Sequence, residues 1–211
     1  MPTIEQARAW YTDADAVHDF DHVLRVYRTA EKIASVEGGD LEIIHAAALL
    51  HDATGATPGA EVRANHHQAS AEFAAEVLRA EGWSEERVAA VQHCIRAHRF
   101  RDDREPPATA EARAIFDADK LDVLGAIGVQ RVLVYAALAG TPPYYEPSEI
   151  FLRTGKEEPG EPHSAYHEYL FKLVKVKDRL FTPTARALAE QRLRYLEGYF
   201  EQLGAELRGE R

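Results

Sequence analysis

The stretch DLEIIHAAALLHD, residues 40–52, decides how this chain folds. Asp40 carries a short acceptor side chain suited to the unpaired N–H groups of a helix start, and the residues after it are apolar on almost every side. A helix of that kind belongs at the centre of a core rather than on its surface. It ends in two polar groups, His51 and Asp52, so a rigid buried element delivers an imidazole and a carboxylate to the floor of a pocket. The following ATGATPGA, residues 53–60, then breaks the pattern, as clustered Gly, Pro and Thr do.

Working outward, the 35 alanines scattered among Leu, Glu and Arg favour helix nearly everywhere, because alanine loses no side-chain entropy in a helix. On the N-terminal side the periodicity predicts helices over about 3–16 and 21–37, the second with Val23, Val26, Tyr27, Ala30, Ile33 and Ala34 at spacings of three and four, stopped by Gly38-Gly39. On the C-terminal side it predicts helices over about 66–81 and 84–98, parted by Gly82 with Ser84 as a cap. After the polar RDDREPP come helices over about 108–124 and 126–139. Residues 141–162 hold five prolines and form the one long connection, too long to be idle in a compact domain and therefore a lid candidate. Helices over about 163–180 and 183–207 finish the chain, the last with Pro183 in its first turn. The expected architecture is all-α and, with no repeat and no evident linker in 211 residues, a single domain.

Composition narrows the function. With 45% apolar and 28% charged residues, 13 Gly and 10 Pro, the chain is neither disordered nor of low complexity. Its longest uncharged apolar run, Val132 to Gly140, falls far short of the roughly 20 residues of a membrane span. MPTIEQARAW at the start lacks the basic and apolar regions of a secretory signal, and the lone Cys94 has no disulfide partner, so the expected compartment is cytoplasmic. A net charge of -10 without a basic stripe excludes a dedicated nucleic-acid binder. The ten histidines are many for this length, and eight lie before residue 99.

Among them His22, in the first turn of the second helix, the pair His51-Asp52, and Asp119 within FDADKLD are the informative set. Imidazole and carboxylate donors suit a divalent ion such as Mn, Fe, Co, Ni or Zn, and the absence of clustered thiolates argues against a structural zinc site. Four such groups from three helices can converge.

These residues carry a resemblance. HDFDHVLRV at 18–26, AALLHD at 47–52, DADKLDVLGAIGVQR at 117–131 and FKLVKVKDRLFTPTARALAEQR at 171–192 resemble the HD phosphohydrolase superfamily, and within it the YedJ-like bacterial branch, from about residue 18 to residue 203. A bare His-Asp dipeptide arises by chance; the ordered set with its flanks is specific. The resemblance implies an all-α HD-type fold with metal ligands at His22, His51, Asp52 and Asp119, the last being the aspartate that precedes the basic residue. It implies a divalent ion, Mn first and Mg, Co, Ni or Fe as alternatives, whose bound water attacks phosphorus. The implied reaction is hydrolysis of nucleoside or deoxynucleoside triphosphates to monophosphate and pyrophosphate. A phosphatase acting on nucleoside monophosphates or other phosphomonoesters is the alternative. Lower still stand a diiron oxygenase on the same ligand frame and a metal or nucleotide sensor without turnover.

Around that set, Asp52, His67, His98 and Asp122 are candidates to move or position a proton; His67 and His98 either ligate a second metal or stay unmetallated. Lys120, Arg99, Arg101, Arg131, Lys172 and Lys175 are candidate phosphate clamps, each competing with an ordinary solvated surface charge, and Tyr144 and Tyr145 can stack on a base. His18 and Arg25 are expected to support the ligands from behind. His66 is expected to face solvent beside His67, His45 to be a core histidine, and His163 and His167 to form an exposed pair, with at most a supporting contact from His167. Cys94 reads as a small buried hydrophobe. The expected partner is a small phosphorylated molecule, with the protein a monomer or homodimer.

Overall fold

A computed structural model describes residues 1–11, 20–54, 60–99 and 105–211, without the side chains of 60–65. His18 and Arg101 lie outside the described residues. What is described is all-α, with no strand: α1 Ile4–Arg8, α2 Phe20–Glu37, α3 Leu41–Leu50, α4 Ala60–Ala80, α5 Glu85–Ala97, α6 Ala110–Leu121, α7 Gly125–Ala139, α8 Glu149–Thr154, α9 Ala165–Phe171, a 3₁₀ stretch Leu173–Arg179, and α10 Pro183–Leu207. No single helix among the described residues is long and apolar enough to cross a membrane.

The described residues form two compact units, Met1–Lys120 with Leu180–Ala185, and Leu121–Arg179 with Arg186–Arg211. Two of the three junctions fall inside helices, α6 and α10, and the third directly follows the 3₁₀ stretch, so none leaves a linker signature in the sequence.

In the first unit α3 is the central element. Asp40 caps it, accepting from the N–H groups of Glu42 at 2.9 Å and Ile43 at 3.4 Å, and α1, α2, α4 and α5 all pack on it. Ala46, Ala47 and Ala48 are fully buried, and their small side chains let the neighbouring helices approach from several sides. Ile44, Leu49 and Leu50 fill the remaining space, each contributing roughly 1.5–3 kcal/mol through removal from water. Around them α2 buries Val23, Val26, Ala30 and Ile33, α4 buries Ala71, Ala74, Ala75 and Leu78, and α5 buries Val88, Val91, Cys94 and Ile95. Cys94 is thus a buried free thiol, its pKa pushed up by desolvation and by the Glu111 charge.

In the second unit the 141–162 connection is not structureless. It contains α8, which Ser148 caps by accepting from Phe151 N–H at 3.0 Å and which Gly155 ends with a left-handed φ of 70°. Six residues are too few to show a helical period, so only those flanking residues announce this element in the sequence. The helix expected over 163–180 also divides: Ser164 caps α9, and the chain tightens into a 3₁₀ stretch after Lys172. His167 therefore turns inward rather than outward. It is fully buried, its Nδ1 shares a hydrogen bond with Ser164 Oγ at 2.6 Å, and its Nε2 meets Glu161 Oε1 at 3.0 Å. His163 stays exposed against Glu157.

Candidate metal centre

The first unit brings His22, His51, Asp52, His66, His98 and Asp119 together. Two of the imidazoles are set by one device. His51 follows α3 and His98 follows α5, each as the residue that closes its helix. Each turns Nδ1 back onto a carbonyl of the last turn, which has no partner within the helix: His51 to Ala48 at 2.8 Å, His98 to Ile95. With Nδ1–H donating to a carbonyl, the lone pair is on Nε2, which faces the cluster. That is the second-sphere arrangement by which proteins orient metal-binding histidines.

The donors fall into two groups of three, in each of which the candidate ligand atoms lie within 4.8 Å of one another. In the first, His22 Nε2 is 3.4 Å from His51 Nε2 and 3.5 Å from Asp119 Oδ1. In the second, Asp52 Oδ1 is 3.3 Å from His66 Nε2 and 3.5 Å from His98 Nε2. Asp52 touches both groups, since its other oxygen, Oδ2, lies 3.6 Å from His51 Nε2 and 4.0 Å from His22 Nε2. Donors about 2.1 Å from a shared ion stand roughly 3–3.4 Å apart, so the first group and Asp52 fit a divalent cation with little adjustment.

The electrostatics agree. Burial pushes the His51 pKa down to about 4, the neighbouring imidazoles adding to that shift and the Asp52 and Asp119 charges opposing it. The ring is therefore neutral at pH 7, the form a metal needs. Burial alone would raise the Asp52 carboxyl, but His51, His66 and His98 outweigh it and hold the group well below the usual carboxylate range. Asp119 is likewise pulled down against its burial, chiefly by Lys120, whose Nζ donates to Asp119 Oδ2 at 2.6 Å, and then by His98, His22 and His51. A neutral His51 ring with two carboxylate charges beside it is a donor set for a divalent ion.

A stability consequence follows for protein freed of metal by chelation. His51 stays neutral in the folded state while the unfolded chain takes up its proton near pH 6.5. Stability is therefore lost as pH falls from about 6.5 to about 4, whereas the lowered Asp52 and Asp119 carboxyls lose their contribution only below about 3.8. The Tm of chelated protein is expected to drop between pH 7 and pH 5; a flat profile over that interval, followed by thermal unfolding scans, contradicts the neutral buried His51.

Two other expectations change. His66, expected to face solvent, is the imidazole that approaches Asp52 from α4, while His67 is buried and belongs to neither group of donors. Arg131 and Asp122 lie in the second unit and pair with each other, Nη1 donating to Oδ2 at 3.0 Å with both side chains largely buried. Arg99 follows His98 and Arg25 sits on α2, both half-buried. Lys172 pairs with Glu168 and Lys175 lies over the Phe171 ring, 3.9 Å from its centroid. Tyr144 stacks on Tyr166 and donates to Glu146; Tyr145 is 44% exposed, near His167. His45 stacks on Tyr27 and meets Glu31.

Comparison with known proteins converges on one family. The HD domain family matches residues 19–124. The Bacillus subtilis protein YpgQ is 32% identical over 212 residues, spanning 97% of this chain and 94% of YpgQ. The crystal structure of YpgQ in complex with ADP matches with a TM-score of 0.73 at 29% identity, covering 99% of this chain and 100% of that one. The crystal structure of an HD-superfamily hydrolase from Bacillus thuringiensis matches with a TM-score of 0.73 at 28% identity, covering 97% of this chain and 94% of that one. The near full-length match to YpgQ supports the bacterial branch expected from the sequence.

Proposed function

The chain belongs to the HD domain family, and from that premise we propose that it is a divalent-metal-dependent hydrolase that cleaves nucleoside or deoxynucleoside triphosphates to monophosphate and pyrophosphate. The observation that carries the reading is the convergence of His22, His51, Asp52 and Asp119 with imidazole lone pairs and carboxylate charges turned onto one another. HD domains bind divalent metals, and these four groups would hold the ion, Mn first among the alternatives. A divalent ion in such a site lowers the pKa of water and polarises a phosphoryl oxygen.

The chain's own groups supply the rest. His66 and His98 stand beside Asp52 Oδ1, where a proton of the attacking water is positioned or taken up. Lys120, in contact with Asp119, is a positive charge at the edge of the cluster available to an anionic substrate oxygen. Arg99 adds a second cation beside His98. Binding of a nucleotide is supported by the ADP complex of YpgQ, and the choice of triphosphate by the branch resemblance in residues 18–26 and 171–192.

The test strips metal from the protein, reloads it separately with Mn, Mg, Co, Ni or Fe, and separates the products of a nucleotide panel by anion exchange. Monophosphate with pyrophosphate is the expected result. Free phosphate released from monophosphates moves the protein to the phosphatase class. No turnover with any metal overturns the substrate, and metal content per chain then decides what is left. Two irons, with Asp52, His66 and His98 taking the second, favour oxygenase chemistry. One ion without turnover points to a phosphoester outside the panel, and no ion overturns the site itself.

A further inference from the structure

The TPT sequence at 182–184 lies in the longest stretch of family resemblance, yet none of the chemistry above uses it. In the structure it meets Asp117. That carboxylate, fully buried, accepts three hydrogen bonds from a segment more than 60 residues further on: from Phe181 N–H at 2.9 Å, Thr182 N–H at 2.8 Å and Thr182 Oγ1 at 2.7 Å. Thr182 Oγ1 in turn accepts from Ala185 N–H at 3.2 Å, closing the first turn of α10. All of these groups belong to the first unit.

Asp117 is two residues before Asp119 on α6. Successive residues on a helix turn by about 100°, so the two carboxylates point about 200° apart, on nearly opposite faces. One faces the imidazoles, and the other is held by backbone and side-chain donors on the far side. A helix tethered on the face opposite a ligand can neither roll about its axis nor slide along it. Those are the motions that would carry Asp119 Oδ1 away from its 3.5 Å approach to His22. Metal ligands need placement to within about 0.5 Å, and a charged acceptor of three short bonds is strong enough to enforce it.

We propose that Asp117, held by Thr182, is a positioning residue for the metal ligand Asp119. The inference rests on the metal reading above. A second contact serves as its control. Thr184 donates from N–H and from Oγ1 to Glu37, at 2.9 and 2.6 Å, but Glu37 ends α2 about 22 Å along the helix from His22. It stabilises the same turn without steering a ligand.

The experiment measures Mn(II) affinity of the full-length protein by the EPR signal of free Mn(II), alongside Tm, for wild type, Thr182→Val, Thr182→Ser and Thr184→Val. Binding by the wild type tests the metal reading first, and its absence overturns both. Given binding, Thr182→Val is expected to weaken affinity about tenfold, and Thr182→Ser, which keeps the hydroxyl, to restore it. Thr184→Val lowers Tm and leaves affinity unchanged. A weakening of less than about threefold in Thr182→Val, or an equal weakening in Thr184→Val, overturns the proposal. Should Thr182→Val not fold, Asp117→Asn is read against the same threshold. The wild type gives an independent answer, because coupling is reciprocal. Mn(II) must slow amide exchange at Phe181 and Thr182 more than at Thr184, and equal slowing overturns the proposal as well.

Discussion

Asp52→Ala is expected to lower nucleotide hydrolysis by on the order of 10³-fold or more, the largest effect of any single substitution in the chain. Asp52 meets donors of both groups with its two oxygens: Oδ2 faces His51 and His22, Oδ1 faces His66 and His98. Removing it takes away one of the two carboxylate charges of the site, and it leaves His51 and His22 without the carboxylate they share with His66 and His98. The fold is expected to survive, because Asp52 follows the end of α3 and the helix is held by its apolar faces. The measurement therefore pairs turnover with thermal unfolding. Metal at about 100 times its Kd stabilises a folded protein by about 2.7 kcal/mol, a rise of about 5 °C or more in Tm for a chain of this size. Wild type shows that rise and Asp52→Ala does not, while their metal-free Tm values stay close. Retained turnover in Asp52→Ala would remove the cluster from the reaction altogether.

Arg131→Met is expected to act on stability rather than chemistry, at a cost of about 3 kcal/mol or more. The sequence admits Arg131 as a phosphate clamp, and its partner Asp122 as a proton carrier. In the structure Asp122 is 3% exposed and paired with Arg131. Truncating the arginine removes the Nη1 donor and its charge from a buried carboxylate, a larger loss than the net worth of the pair. Arg131→Met is thus expected to melt earlier with KM for nucleotide little changed, and Arg131→Met with Asp122→Leu to recover part of the stability. A large rise in KM without loss of Tm would restore the clamp reading.

The contrast between His51 and His66 shows what the sequence could convey. His51 was legible because three signals coincide on it: the cap at Asp40, an unbroken apolar run, and the Gly- and Pro-rich break that follows. Together they fix where the helix ends and hence where its last polar group points. His66 and His67 are neighbours on a helix, about 100° apart, and which of them faces the cluster depends on how α4 is rotated against α3 and α5. That rotation is set by Ala71, Ala74, Ala75 and Leu78 packing into the core. It is set also by Ser70, whose hydroxyl accepts from Thr54 N–H at 3.3 Å and ties α4 to the turn after Asp52. Small residues such as alanine mark an apolar face only weakly, so the phase was not readable from the pattern. The pairings of Asp117 with Thr182 and of Arg131 with Asp122 were hidden for another reason. A charged side chain looks the same in sequence whether it meets water, substrate or a buried partner. α8 escaped because one and a half turns carry no period.

The separation in sequence between the parts of the cluster has a consequence for the time at which it forms. Its donors begin at His22 and end at Asp119, and the bonds that hold α6 from behind wait for Phe181 and Thr182. Chains are made from the N-terminus at about 5–20 residues per second, so on the order of ten seconds or more pass between the first ligand and the last tether. Through that interval α3 can already bury its apolar faces against α2, while the donor set is incomplete until Asp119 is made and α6 lacks its tether until Thr182 is. On the metal reading proposed above, loading is therefore expected to follow synthesis of the ligand-bearing segments, so the ion taken would depend on what the finished chain meets.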